Sequence, residues 1–170
     1  MAIVDNRCYN TYTLSMSPTL QSEIKQRKPF SSPEQEATLS IARTAALLDH
    51  DTAEALKPYG LTPTQYNALR ILRGSEPEGL CRNEVRDRLV ARVPDTTRLL
   101  DRLGDMGLVV REREGDDRRF VRSRIARKGL DLLRSLDDPM IALHRSQLGH
   151  LGERKLGLLV RLLGEARERP

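Results

Sequence analysis

A chain of 170 residues with 29 Lys and Arg against 24 Asp and Glu, net charge +5, is long enough for one domain with extensions and a core of its own. No apolar run approaches the roughly 18 residues that span a bilayer, which argues against a helical membrane protein, and two cysteines far apart argue against a disulfide framework or a Cys-ligated metal. The positive charge suits a polyanion partner, and a chain that opens without a basic-then-apolar leader is expected in the cytoplasm.

Residues 1–31 mix Tyr, Thr, Ser, Pro and Asn without sustained periodicity and read as a flexible tail, with a short basic cluster at Lys25, Arg27 and Lys28. One folded domain is expected over 32–170. Ser32-Pro33-Glu34-Gln35 reads as a helix start, with Ser32 as cap, Pro33 in the first position and Gln35 reaching back in a capping box. Ala37, Ile41, Ala45, Leu48 and Thr52 then recur every three or four residues, which predicts a helix to about Leu56 with a continuous inward stripe. Pro58-Tyr59-Gly60 ends it. The same grammar returns at Thr62-Pro63-Thr64-Gln65, where Leu61 and Tyr66 are placed as a hydrophobic staple, and this second helix ends at Gly74.

After a loop over Ser75 to Gly79, Cys81 to Val90 reads as the first helix of a helix-turn-helix with Val85 and Leu89 inward, and Ala91-Arg92-Val93 is the turn. The second helix is expected over 94–106, with Pro94 in its first position. Leu99, Leu103 and Met106, widened by Leu100, form its inward face, and Asp95, Arg98, Asp101, Arg102 and Asp105 face out. Gly107 supplies a left-handed end. A hairpin over 108–125 follows, with turn chemistry at Gly115-Asp116-Asp117 and two arginines, Arg118 and Arg119, beside its tip. From Arg111 to Lys128 there are eight basic residues against four acidic ones. Further helices are expected over Arg127 to Leu136, interrupted before Pro139, over Met140 to Leu148, and over Glu153 to Ala166 with Leu156, Leu159, Val160 and Leu163 on one face.

An amphipathic helix followed by an arginine-rich hairpin suits double-stranded DNA. Helix 94–106 fits a major groove, where Arg98 and Arg102 can offer bidentate contacts to guanine, Thr96 and Thr97 can reach phosphate or base edges, and Asp95 can accept from a cytosine amino group. Arg113, Arg118 and Arg119 are the wing's candidates for the backbone or minor groove.

From about Leu61 to Leu133 these residues resemble the multiple antibiotic resistance regulator (MarR) family of winged-helix transcription factors. The resemblance rests on Leu61-Thr62-Pro63-Thr64-Gln65-Tyr66, the helix-turn-helix, Thr97-Arg98-Leu99-Leu100-Asp101-Arg102-Leu103, the Gly107-Leu108-Val109 exit and Asp117-Arg118-Arg119 in the wing. Three positions depart from the pattern: Arg86 where a small apolar residue is usual, Ala126 where threonine caps the next helix, and Cys81 where a hydroxyl cap is common. The resemblance implies a mainly α fold with a small β-wing, a DNA-binding lobe at 61–126, and dimerisation helices at 32–58 and 127–168 that intertwine in a homodimer. It implies a structural role for Asp117 in the wing. It also implies a small aromatic or phenolic effector between the dimer helices and the DNA-binding lobe, for which Tyr66, Tyr59 and His50 are wall candidates, though no effector site is assigned.

Catalysis and cofactors find little support. His50, His144 and His150 are the only histidines, His144 and His150 are six apart, and no phosphate loop or nucleophile elbow is present. The reading is therefore a non-enzymatic regulator that needs no metal or cofactor, a homodimer reading a near-palindromic site and repressing where that site overlaps a promoter. Two alternatives stay open. One is a winged-helix module that binds protein instead of DNA, favoured by the four acids between Glu84 and Asp101 and by Arg86. The other is a redox-sensing regulator working through Cys81, although Cys81 reads more simply as a structural thiol and Cys8 lacks a helical setting.

Overall fold

The computed structural model describes residues 19–113 and 121–168. The hairpin turn over Gly115 to Asp117, with Asp117, Arg118 and Arg119, lies outside them, as do residues 1–18. The chain divides into two compact units, residues 1–47 and 48–170.

In the first unit, Thr19 caps a one-turn helix, α1 (Leu20–Glu23), inside the stretch read as a tail. Four residues are too few to show an apolar period, so this turn left no mark in the sequence. The long helix α2 (Pro33–Leu56) begins in this unit. The Ser32 hydroxyl accepts from the Gln35 N–H at 3.3 Å, as a cap should. Gln35 reaches one residue further back than expected, its Oε1 accepting from the Ser31 N–H at 2.8 Å. The expected inward stripe is not inward in the single chain: Ala37, Ile41 and Ala45 are exposed, Ile41 at 47%. Periodicity says which residues share a face; it does not say what covers that face.

The second unit begins with the end of α2, where Leu56 is fully buried, and a 3-10 turn at Lys57–Tyr59. Then come α3 (Pro63–Arg73), β1 (Leu80–Cys81), α4 (Arg82–Arg88), α5 (Thr96–Asp105), β2 (Val109–Arg113), β3 (Val121–Ile125) and α6 (Arg127–Leu148), and after a 3-10 turn α7 (Gly152–Glu165). At α3 the capping box is complete: the Thr62 hydroxyl accepts from Gln65 N–H at 3.2 Å and Gln65 Oε1 accepts from Thr62 N–H at 2.9 Å. Leu61 and Tyr66 both lie in the core.

The wing has one strand more than the expected hairpin. β1 pairs with β3, Leu80 opposite Ser123, and β2 pairs with β3 from Val109 opposite Ile125 to Arg113 opposite Val121, giving an antiparallel sheet ordered β1-β3-β2. Behind it the core gathers Leu69 and Leu72 of α3, Val85 of α4, Leu100 and Leu103 of α5, Leu108, and Leu133 and Leu136 of α6. This is a winged helix-turn-helix, mainly helical with a small sheet.

The readings of α4, α6 and α7 change as well. α4 ends at Arg88, not Val90, because the Leu89 backbone turns extended. α6 runs unbroken through Pro139. Proline cannot donate to the carbonyl one turn back, but Pro139 is exposed, where water can serve that carbonyl, while Leu133, Leu136 and Met140 hold the other face in the core. On α7, Leu156, Leu159 and Leu163 are half-buried, but Val160 is 68% exposed and lies off that face. No helix among the described residues is long and apolar enough to cross a membrane.

Candidate nucleic-acid interface

The candidate surface is built on α5, and the first question is which of its sides points out. The helix starts at Thr96, with Asp95 as its cap: the Asp95 carboxylate accepts from the Arg98 N–H at 2.9 Å. Pro94 therefore lies before the cap instead of in the first helical position. An aspartate there satisfies a free N–H and meets the positive end of the helix dipole, which outweighs the fit of proline to the first turn. Asp95 remains exposed, but its carboxylate already has a partner.

The inward stripe is centred on Thr96, Leu100 and Leu103, at spacings of four and three, with Leu99 and Met106 only half-buried at its edges. This corrects the expected stripe and sets one candidate site residue, Thr96, on the buried side. Thr96 is 5% exposed, its side chain turned into the lobe and away from the free face of Arg98 and Arg102. Thr97 is half-buried, its hydroxyl accepting from Arg82 Nη1 at 3.4 Å. Arg98 and Arg102 are exposed one turn apart on the outward face. Gly107, at φ +70°, ends the segment, and β2 follows at once. Arg113 is the last residue of β2.

Asp95 and Asp101, two of the acids of this face, are engaged. Asp101 accepts a hydrogen bond from Arg111 of β2, tying α5 to the wing. Arg124 pairs with Glu112 across the two wing strands at 3.0 Å. Arg122 lies 3.9 Å from Glu84 and donates to the Gly79 carbonyl at 3.3 Å. Arg124 thus serves the wing's own structure, while Arg111 and Arg122 tie it to the helices. Glu84 also accepts from the Cys81 N–H at 2.7 Å, and that bond holds its carboxyl below the usual carboxylate range.

Three arginines that sequence reading did not place at the site flank it: Arg82, Arg86 and Arg92, all exposed. Arg82 and Arg86, one turn apart on α4, line a cleft of about 180 Å³ against Pro94, Asp95 and Thr97. The only signal for them was that spacing, and Arg86 stood out merely as a departure from a pattern.

A separate cavity of about 280 Å³ lies between the end of α2, α3, the α4–α5 turn and α6, walled by Thr52, Tyr66, Asn67, Arg70, Met140 and His144. The Arg70 guanidinium sits 5.9 Å from the Tyr66 ring centre. Of the three wall candidates only Tyr66 is here. Tyr59 faces a different cavity, with Met106 and Lys128, and His50 is exposed away from both. The described residues contain no cluster of three or more His, Cys, Asp or Glu able to hold a metal ion.

The sequence profile of the MarR family matches residues 59–119. A crystal structure of a MarR transcription factor from Planctomyces limnophilus is 41% identical, covering 80% of this chain and 98% of that one, with a TM-score of 0.63. Sco5413, a MarR family transcriptional regulator from Streptomyces coelicolor, is 26% identical over 81% of this chain and 94% of its own, with a TM-score of 0.71. The S. aureus MepR–DNA complex shares the fold, at 17% identity over 76% of this chain and 94% of that one and a TM-score of 0.69. The comparison with curated proteins found no match.

Proposed function

This chain belongs to the MarR family of transcriptional regulators, and from that premise we propose that it acts in the cytoplasm as a homodimeric repressor binding a near-palindromic duplex. One observation carries the reading: α5 is fixed through buried Thr96, Leu100 and Leu103 so that Arg98 and Arg102 project from its free face. A guanidinium held in one register is suited to the two acceptors of a guanine edge. Asp101 is engaged by Arg111 and Asp95 by its own helix, which lowers their repulsion toward a polyanion. That weakens the case for a protein-only module. Selection of bound duplexes followed by titration across salt tests this: a recovered two-fold sequence bound with a steep loss of affinity at higher salt is expected. Binding without sequence preference or salt dependence would overturn it.

The homodimer is supported by apolar side chains left exposed on the terminal helices, Leu39, Ile41 and Leu47 on α2 and Leu158, Val160 and Leu162 on α7. Sedimentation at micromolar concentration should show two chains. As effector we propose a small aromatic acid in the cavity of Tyr66, Arg70 and His144, where a ring can lie on Met140 and Tyr66 and a carboxylate can meet Arg70. Benzoate should release DNA in wild type and fail to do so in Arg70→Ala; equal release in both would remove the cavity from the reading.

A further inference from the structure

The turn that joins the two helices of the DNA-facing motif is held from outside the motif. Helix α4 stops where Leu89 goes extended, and residues 90–94 carry the chain to the Asp95 cap. Packing holds little of this segment: Val90 is 90% exposed, Ala91, Arg92 and Pro94 are exposed, and Val93 alone is half-buried. Among the described residues, residues 90–94 make a single hydrogen bond. The Val90 N–H donates to Asn67 Oδ1 of α3 at 3.0 Å, across 23 positions of sequence.

Asn67 is well placed to hold that bond. Its neighbours Tyr66 and Ala68 are buried and the helix start is locked by its capping box, so the root of the side chain cannot drift. A loop with little packing and one hydrogen-bonded tether takes its register largely from that tether. The turn runs straight into Asp95 and Thr96, so its register sets where α5 begins and how Arg98 and Arg102 are presented.

We propose that Asn67 is a positioning residue for DNA reading: it makes no DNA contact and acts by fixing the α4–α5 turn through Val90. The inference deepens the DNA-binding reading and rests on it. Asn67 also walls the cavity shared by Tyr66, Arg70 and His144, so an occupant of that cavity meets the tether directly.

The test has one arm without DNA. In the full chain, Asn67→Ala should speed hydrogen exchange of the Val90 amide by about threefold to tenfold, the scale of one hydrogen bond, and shift the Thr97 and Arg98 amide resonances. The amides of Leu72 and Leu103 should keep their exchange rates. Asn67→Asp retains the acceptor oxygen and should restore both signals. On a duplex selected with wild type, Asn67→Ala should lose about threefold to tenfold in affinity, keep its affinity for random duplex and its salt slope, and be rescued by Asn67→Asp. Unchanged Val90 exchange, or unmoved Thr97 and Arg98 resonances, would overturn the tether whatever the DNA result. Lost protection with full preference for the selected duplex would overturn the positioning role. A wild type that prefers no duplex defeats the DNA reading instead, and the exchange and resonance arm still decides the tether.

Discussion

Arg73 of α3 holds Asp137 of α6 through two parallel hydrogen bonds, Nη1 to Oδ2 and Nη2 to Oδ1, both 3.0 Å long and spanning 64 positions of sequence. The fork-to-carboxylate fit makes this a directional tie between the helix that precedes the DNA-facing motif and the helix that leaves the wing. The hydrogen bond from Arg73 holds the Asp137 carboxyl below its ordinary range. A carboxyl with a depressed folded-state value stabilises the fold above its unfolded value near ~4 and loses that contribution as pH falls through the folded value. Both side chains are partly exposed, so solvent screens the pair and its worth is no more than about 1 kcal/mol. Asp137→Asn should therefore lower stability by up to about that amount at neutral pH, and the gap to wild type should close as pH drops below ~4. Chemical denaturation of both proteins across pH checks it; a gap that persists in acid would assign the tie to packing.

Arg98→Ala should cost about 1 to 3 kcal/mol on the selected duplex and much less on random DNA, since Arg98 stands free on the outward side of α5. Thr96→Val should leave both affinities unchanged, because the residue is turned inward. Equilibrium titrations of the two variants separate the faces of the helix. A large loss of binding from Thr96→Val without loss of stability would show that its burial has been misread.

Asp101→Ala removes an acid from the DNA face and releases Arg111 from its partner. Random-duplex affinity should rise, and its salt slope should steepen by about one unit if Arg111 then neutralises a phosphate. Preference for the selected duplex should fall, since the link between recognition helix and wing is gone. Titration against both duplexes at several salt concentrations reads all three effects, and an unchanged slope would count against Arg111 reaching the backbone.

Gly129 sits in the first turn of α6 where the helix meets the wing. A Cβ there would lie 2.5 Å from the Leu108 carbonyl oxygen and 2.8 Å from Ile125 Cγ1. Alanine ordinarily favours a helix over glycine by about 1 kcal/mol, but here the obstructing atom is backbone and cannot swing away. Gly129→Ala should therefore destabilise the protein by about 2 kcal/mol or more. Thermal melting would show it directly, and an unchanged or raised melting temperature would mean that α6 can slide off the sheet without cost.

Cys81 caps α4 and forms part of β1. Serine is a better cap and nearly the same size, so Cys81→Ser should hold or raise stability by up to about 1 kcal/mol and leave DNA binding and its response to oxidant unchanged. If peroxide abolishes binding in wild type and spares the serine variant, the thiol is a redox trigger.

Much of this architecture could be read from the chain because it is written in short-range terms. Thr62, Pro63 and Gln65 start α3 through hydrogen bonds that span three residues, and Gly107 ends its segment because the backbone there needs a positive φ. The α2 period was equally plain, as were the two long wing strands. The outward positions of Arg98 and Arg102 followed from the heptad-like spacing of the apolar residues between them.

What the sequence determined by itself, then, was the order of the elements, most of their ends and the free face of α5, since each depends on neighbours within about one helical turn. Only the tertiary structure decided the rest. The stripe of α5 turned by part of a residue spacing, taking Thr96 inside, because the surface it packs on belongs to other elements. A two-residue strand such as β1 has no period of its own and exists only through β3. Pro139 could stay inside α6 because packing on the opposite face outweighed one missing hydrogen bond. The ties from Arg73 to Asp137 and from Asn67 to Val90 join residues 64 and 23 positions apart, and no local pattern encodes which distant partner a side chain will meet.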